Sequence, residues 1–312
     1  MLELLWSLVL GARCFQIEER QARRHHEAHI WSTPAREREW SMNRGLILRA
    51  LRESWPATLV LGLVLMAVEA ALAFVLPKFG SQMSQEWLQM DFARGIMQAM
   101  LGTAIADRIG PQMFQSMAWV HPVPLALTWA HAIVSCTRVP AGEVDRGTVD
   151  VLLGLPVSRW EVFLSETIVW LGCGAAILAA ALAGNLLGGL GLPSDQRPHL
   201  TRLLIVLINL FCLYGAVGGL AWLVTSLSDR RGRATTIVFL ILLVLFLLNY
   251  LAQFWQPLEK IVFLSPLHYH RPVNVLGNGI WPWKDLGILL GAGFALWLAA
   301  GALFARRDLC TV

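Results

Sequence analysis

The chain has 312 residues, of which 56% are hydrophobic and only 15% are charged, and its mean hydropathy is +0.57. Soluble domains carry about 25% charged residues, so this composition excludes an ordinary soluble domain and indicates an integral membrane protein. Much of the basic residue content behind the net charge of +4 is arginine beside apolar runs, a pattern of membrane proteins that gives no support to nucleic-acid binding.

Residues 1–41 differ from the rest of the chain. A short apolar opening over residues 1–10 precedes a charged run over 18–26, which is the reverse of a secretory signal and excludes one. The segment is either a helical extension or sequence upstream of a natural start at Met42. The domain prediction is therefore an extension over 1–41 and one membrane domain over 42–312.

Residues 43–54 predict an amphipathic helix just before the first span. At helical spacing one face carries Leu46, Ile47, Ala50, Leu51 and Ser54. Arg49, Arg52 and Glu53 lie on the opposite face. This pattern predicts an interfacial helix on the cytoplasmic surface, with simple positive flanking charge as the alternative.

The first predicted span covers residues 57–76, which is long enough to cross the hydrocarbon core. Glu69 lies deep inside it, where a charge costs roughly 2.5–3.5 kcal/mol on insertion scales. We expect this carboxyl group either to serve a substrate path or proton transfer, or to make a polar contact with another span.

Residues 77–115 are mixed in polarity and predict short helices along the outer surface. The second span, over residues 117–137, is interrupted by His121, Pro122 and Pro124. Proline removes a helical hydrogen bond, so a kinked or discontinuous helix is expected here.

The charged stretch over residues 141–159 lies between two long apolar runs. Helical spacing gathers one largely apolar face from Val144, Thr148, Val151, Leu152 and Leu155. The opposite face takes Glu143, Arg146, Gly147 and Asp150, with Asp145 as the one misfit. Pro156 ends the helix. Such a short amphipathic helix either lies on the bilayer surface or docks into a groove of a soluble partner.

The same stretch carries a motif of fixed residue types at fixed offsets, namely Glu143, Gly147, Thr148, Leu152, Leu153, Pro156, Val157, Ser158 and Arg159. It resembles the signature E-x-x-x-G-T-x-x-x-L-L-x-x-P-[VI]-S-R of ABC type-2 exporter permeases. The resemblance covers about Met42 to the C-terminus. It implies a cytoplasmic coupling helix between the second and third spans, on which a separate ATPase subunit presses. One departure is Glu166, which lies near a point where the family often has lysine.

Four further apolar runs predict the remaining spans: 160–192, 203–227, 235–253 and 286–304. Two pairs of glycines at small-xxx-small spacing, Gly184 with Gly188 and Gly287 with Gly291, predict close helix contacts. Residues 254–283 are rich in proline and tryptophan, which suits a segment that enters the interface without crossing. The resemblance implies short re-entrant helices there.

The fold class predicted is therefore all-α: a polytopic membrane protein with six transmembrane helices, the interfacial helix, the coupling helix and the re-entrant helices before the last span. Six spans put both termini, the central stretch and the loop over 229–233 on one side. Basic residues are more frequent on that side, so it is predicted to be the cytoplasmic side of the plasma membrane.

The motifs of common catalytic sites are absent from the sequence. It contains no G-x-x-x-x-G-K-[ST] phosphate loop, no G-x-S-x-G and no H-E-x-x-H. His268 and His270 are only two potential ligands, too few to close a metal site, and the five cysteines have no paired spacing. We therefore predict no enzymatic activity, no metal and no cofactor of this chain, with ATP bound by the partner ATPase.

The leading hypothesis is the permease subunit of an ATP-driven ABC exporter, working with an ATPase subunit, with membrane lipid and as a homodimer or with a related permease. The residues predicted to couple to the ATPase are Glu143, Val144, Arg146, Gly147, Thr148, Val151, Leu152, Leu155, Pro156 and Arg159. Glu69, Asn209 and Asn249 are candidates for the substrate path. The alternatives are an ion-driven carrier or membrane enzyme that uses Glu69 and the intramembrane histidines, and a membrane scaffold that moves nothing.

Overall fold

The computed structural model describes residues 44–82, 90, 95, 111–147, 157–197 and 199–306, all within one compact unit that runs from Asn43 to Val312. These residues form helices and connecting turns, with no strand among them. The α-helices are α1 (Arg44–Gln82), α2 (Pro111–Val120), α3 (Pro122–Cys136), α4 (Ala141–Asp145), α5 (Arg159–Gly189), α6 (Leu200–Leu227), α7 (Arg231–Leu251), α8 (Gln256–Glu259), α9 (Pro272–Asn278) and α10 (Trp283–Arg306).

Six helical segments of the described part are long and apolar enough to cross a membrane, which confirms the all-α polytopic fold. They are Arg44–Lys78, Met113–Cys136, Arg159–Gly189, Leu200–Leu227, Arg231–Leu251 and Trp283–Arg306. The helix α6 lies at the centre, since about two thirds of its most apolar window is buried. The helices α1, α7 and α10 are mostly on the outside of the bundle.

The first helix is continuous over 39 residues, from Arg44 to Gln82. The separate interfacial helix predicted over residues 43–54 is therefore wrong. Part of its apolar face packs on protein, since Leu46 joins the main core and Ala50 contacts Val169 and Cys173 of α5. Because this face is used inside the bundle, the segment continues the axis of the first span.

The second span is discontinuous, as predicted. The helix α2 ends at Val120, and His121 has extended backbone angles and caps α3, its Nδ1 accepting a hydrogen bond from the main-chain N–H of Val123 at 3.3 Å. Pro122 and Pro124 stand in the first turn of α3, where the missing N–H groups have no intrahelical partner to lose.

Helices α1 and α5 approach each other backbone to backbone at Gly184 and Gly188. A Cβ atom at Gly184 would lie 2.1 Å from the carbonyl oxygen of Met66, and one at Gly188 would lie 2.2 Å from that of Ala70. The first small-residue pair therefore makes the close contact that its spacing predicts.

The second pair does not make such a contact, because a Cβ atom at Gly287 or Gly291 would meet nothing within 4 Å in the described part of the chain. Helices α6 and α10 come together elsewhere. A Cβ atom at Gly219 would lie 2.5 Å from the carbonyl oxygen of Gly293. The spacing alone did not identify which glycines of α10 face a neighbour.

Between α7 and α10 the chain forms α8, two 3-10 turns (Val262–Leu264 and Pro266–Tyr269) and α9, so the predicted short helices are present. This segment folds back on the bundle, since the hydroxyl of Ser265 donates to the carbonyl of Leu245 at 2.9 Å. Its depth in a membrane stays a prediction.

Candidate functional site

One end of the bundle collects most of the charged contacts, and we call it the charged end. Here α1, α5 and α7 begin and α3, α6 and α10 end. The helix α4 follows α3 at this end after the turn over 137–140. The predicted coupling stretch therefore begins at the charged end.

The central stretch is not one continuous helix up to Pro156. The helix α4 has five residues and is followed by Gly147, whose φ of 69° is in the left-handed region that ends helices. The main-chain N–H of Gly147 donates to the carbonyl of Val144 at 3.0 Å and closes this turn. Residues 148–156 lie outside the described part, and with them the predicted coupling residues Thr148, Val151, Leu152, Leu155 and Pro156.

Glu143 is turned towards the bundle. Its side chain is 2% exposed and accepts hydrogen bonds from Arg49 Nη2 at 2.8 Å and from Arg146 Nη2 at 3.2 Å. Because Arg49 on α1 supplies the opposite charge, this carboxylate can be turned towards the bundle. Val144 is half-buried, and Asp145, Arg146 and Gly147 are exposed.

Six side chains form a connected set of ion pairs, which we call the ionic network. Its members are Arg49, Glu53, Arg138, Glu143, Arg146 and Glu166. Three positive and three negative groups balance, and each buried member (Arg138, Glu143 and Glu166) has a partner of opposite charge. The network joins α1, the turn over 137–140, α4 and α5.

Arg138 is the most buried cation of the network, with its side chain 9% exposed. Its Nη1 donates to Glu53 Oε2 on α1 at 2.7 Å, and its Nη2 donates to Glu166 Oε2 on α5. Removing one member of a buried pair leaves an uncompensated charge and costs about 3–5 kcal/mol. The half-exposed pair of Arg49 and Glu53, at 3.0 Å and i,i+4 spacing, contributes only about 0.3–0.5 kcal/mol.

Arg159 contacts the end of the last span. Its Nη1 lies 3.4 Å from the carbonyl oxygens of both Phe304 and Ala305, so it donates to main-chain groups in the last turn of α10. The start of α5 is further defined by a capping box between Ser158 and Glu161. Arg159 therefore joins α5 to α10 at the charged end.

The three candidates for the substrate path belong to separate contacts. Glu69 is 1% exposed and accepts a hydrogen bond from Asn185 Nδ2 at 3.2 Å, between α1 and α5. Asn209 donates from Nδ2 to the carbonyl of Tyr269 at 3.2 Å. Asn249 is half-buried on α7. The structure does not bring these groups into one hydrogen-bonded site, and their role in a path stays a prediction.

The histidines also have separate contacts. His131 lies between Thr58 Oγ1 at 3.1 Å from Nε2 and Tyr214 Oη at 2.9 Å from Nδ1, which joins α1, α3 and α6. His270 Nδ1 lies 2.6 Å from Asn209 Oδ1, and burial lowers the pKa of His270 to about 4. Burial and the nearby Arg271 lower the pKa of His268. No group of three potential metal ligands lies together in the described part of the chain.

The sequence did not predict the ion pairs by which the site contacts α1 and α5. The sequence patterns place Arg49 on the polar face of the predicted interfacial helix, do not single out Arg138, and mark Glu166 only as a departure from the family. A signal was available, since Glu53, Glu143 and Glu166 stand close to arginines at or near the ends of predicted spans. Such acidic residues beside basic ones favour ion pairs between helices.

These features define the class of the molecule: an integral membrane protein of six apolar helical segments, with a short charged helix between the second and the third. The family model described as ABC-2 family transporter protein matches residues 49–309, and the chain belongs to that family. It is a permease component of an ABC transporter, which confirms the resemblance. No curated protein and no solved structure matches the chain.

Proposed function

We propose that the chain is the membrane subunit of an ATP-driven exporter and that a separate ABC ATPase subunit binds and hydrolyses the ATP. The observation that carries the proposal is the position of α4, at the end of the second span and anchored through Glu143 to α1. The residues that follow the anchor, Asp145 to Gly147, are exposed. An anchored helix with an exposed continuation suits the transfer of force from a docked subunit.

The apolar residues of the stretch supply the contact with the ATPase in this proposal. Val144, Val151, Leu152 and Leu155 would pack into a groove of the partner. Arg146 would orient the joint by charge, since its guanidinium is exposed on one side while it contacts Glu143 on the other. Arg159 would pass movement of the stretch to the end of α10.

A second membrane domain completes the proposed transporter. The helix α7 buries only Ala234, Val238 and Leu242, so most of its apolar surface is free to face lipid or another membrane domain. We propose two copies of this chain, or this chain with a related permease, around a central route. The proposed location is the plasma membrane, with both termini and the charged end in the cytoplasm.

The experiment starts from the tagged chain purified from its native membrane in mild detergent. Wild-type chain is expected to bring with it a protein that has an ABC ATPase sequence and hydrolyses ATP. Leu152→Asp puts a charge on the apolar contact and is expected to lower recovery of that ATPase at least about tenfold, the effect of roughly 1.4 kcal/mol.

The matched control is Leu190→Asp, which places the same charge on an exposed leucine at the other end of the bundle. It is expected to leave recovery of the ATPase unchanged. Equal recovery with Leu152→Asp and wild type, from chains inserted in equal amounts, would contradict the proposed contact. Absence of any ATPase from the wild-type preparation would contradict the proposed function.

A further inference from the structure

We propose that Arg138 is a positioning residue that joins the start of the coupling stretch to α1 and α5, so that the three elements move as one body when the ATPase acts. This inference rests on the proposed function. It extends that function to the first span. The coupling stretch leads directly into α5 along the chain, whereas α1 ends at Gln82, far from it in sequence.

The first step of the argument is the geometry of Arg138 itself. Its two terminal nitrogens donate to two carboxylates on two different helices, Glu53 on α1 and Glu166 on α5. The fixed fork of a guanidinium makes this bridging directional, whereas a lysine ammonium would act as a single point charge. Arg138 therefore defines where the turn over 137–140 stands relative to both helices.

The second step is that α1 and α5 form one unit. Their backbones touch at Gly184 and Gly188, where a Cβ atom would lie about 2 Å from a carbonyl oxygen of α1. Glu69 and Asn185 add a buried hydrogen bond in the same interface. A push on either helix is therefore carried to the other, and Arg138 binds to both.

The third step is a second ionic contact one helical turn away. Arg49 and Glu53 stand at i,i+4 on α1 and pair with each other at 3.0 Å. Arg49 also binds Glu143 in α4 at 2.8 Å. The coupling stretch thus contacts α1 at two successive turns, before and within α4, which resists rotation as well as translation.

The fourth step concerns the sign of the charge at position 166. In this chain the cation of the pair is on the turn and the anion, Glu166, is on α5. A lysine at 166 would place two cations against each other in a buried site. A glutamate at position 166 is therefore the residue that can pair with Arg138.

The test measures movement between spin labels at Asp145→Cys, in α4, and Leu63→Cys, on the exposed face of α1. The protein is the complex purified with its ATPase, in a background without other accessible cysteines. In otherwise wild-type chain the distance distribution is expected to stay the same with and without ATP and vanadate. In Arg138→Gln it is expected to shift and broaden when ATP and vanadate are added.

The matched control is Arg52→Gln, an exposed arginine of α1 outside the network, which is expected to behave as wild type. Arg138→Lys is expected to restore part of the wild-type behaviour, since the charge remains but the fork is lost. Adding Glu166→Gln to Arg138→Gln is expected to change little, because the pair of these two residues is already lost in the single variant.

Two results separate the inference from the proposed function. If the ATPase is bound and hydrolyses ATP, and Arg138→Gln and wild type respond identically to ATP and vanadate, the inference is wrong and the proposed function stands. If no ATPase is bound to the wild-type chain, the proposed function fails. In that case the ion pair is tested by thermal unfolding of the chain alone. Additive effects of Arg138→Gln and Glu166→Gln would show that the two residues do not interact and would contradict the inference, whereas non-additive effects would support the pair.

Discussion

A buried carboxylate needs a cation or a hydrogen-bond donor within reach, and this chain uses both solutions. Glu143 and Glu166 are paired with arginines at the charged end. Glu69 is deep in the first span and accepts a hydrogen bond from the amide of Asn185. An amide partner satisfies an oxygen without adding a charge, which suits a group in the middle of a membrane. The geometry of Glu69 therefore fits a contact between two spans.

His270 supports a pH-dependent prediction, because it lies outside the six candidate spans and is 3% exposed. Nδ1 of His270 lies 2.6 Å from Asn209 Oδ1, and Nε2 lies 3.3 Å from the carbonyl oxygen of Trp119. Burial lowers its pKa from 6.5 to about 4. The folded state therefore binds fewer protons than the unfolded state between these values, so stability is complete above pH 6.5 and falls as the pH drops to 4.

The expected loss from this group is about 3 kcal/mol. Thermal unfolding of wild type and of His270→Gln in detergent, each at pH 7.5 and at pH 4.5, measures this loss. The quantity compared is the decrease in stability of each protein between the two pH values. The variant is expected to be less sensitive. His199→Gln, an exposed histidine before α6, serves as the control and is expected to follow wild type. Equal pH sensitivity of His270→Gln and wild type would contradict the prediction.

At the scale of helices, the contact between α1 and α5 predicts a sharp difference between glycines of one helix. Gly184→Val would push its side chain into the backbone of Met66, which cannot move without separating the helices. We expect a loss of about 1–3 kcal/mol or more in the free energy of unfolding. Gly172→Ala on the same helix meets nothing within 4 Å and is expected to be neutral or stabilising by up to about 1 kcal/mol.

Thermal unfolding of the purified variants in one detergent measures both effects. The useful quantity is the difference between the two variants, because changes in detergent binding affect both. If Gly184→Val unfolds at the same temperature as Gly172→Ala, the backbone contact between α1 and α5 is absent from the protein in solution.

The helices themselves could be predicted from the sequence, because apolar runs of span length leave little choice of structure in a membrane. The break at His121 followed from two prolines. Boundaries that depend on tertiary packing could not be predicted. Residues 43–54 have the amphipathic pattern of an interfacial helix, and only the contacts of Leu46 and Ala50 with the rest of the bundle show that they extend the first span.

The candidate site was predictable in position and residue type but not in its pairings. The motif around Glu143 indicated where the coupling stretch begins. Arg49 and Glu143 are 94 positions apart, and Arg138 and Glu166 are 28 apart, so no local period connects them. Gly147 was assigned to a helical face because its residue type is compatible with a helix as well as with the left-handed turn it adopts.

At the scale of the whole molecule, the distribution of arginine supports the proposed orientation in the membrane. The described arginines at the charged end are Arg44, Arg49, Arg52, Arg138, Arg146, Arg159, Arg230, Arg231, Arg233 and Arg306. Three of them are neutralised by glutamates of the ionic network. The positive-inside rule counts basic residues and takes little account of acidic ones, so the pairing does not weaken the argument.

Orientation is testable with single cysteines at the two ends of the bundle. Asp145→Cys is exposed at the charged end, and Lys284→Cys is exposed where α10 begins, at the opposite end. With Cys14 and Cys310 replaced, a membrane-impermeant maleimide is expected to label Lys284→Cys on intact cells and Asp145→Cys only after permeabilisation. The other three cysteines, Cys136, Cys173 and Cys212, are buried. Labelling of Asp145→Cys on intact cells would put the coupling stretch outside the cell, where no ATP-hydrolysing subunit could act on it, and the proposed function would fail with the orientation.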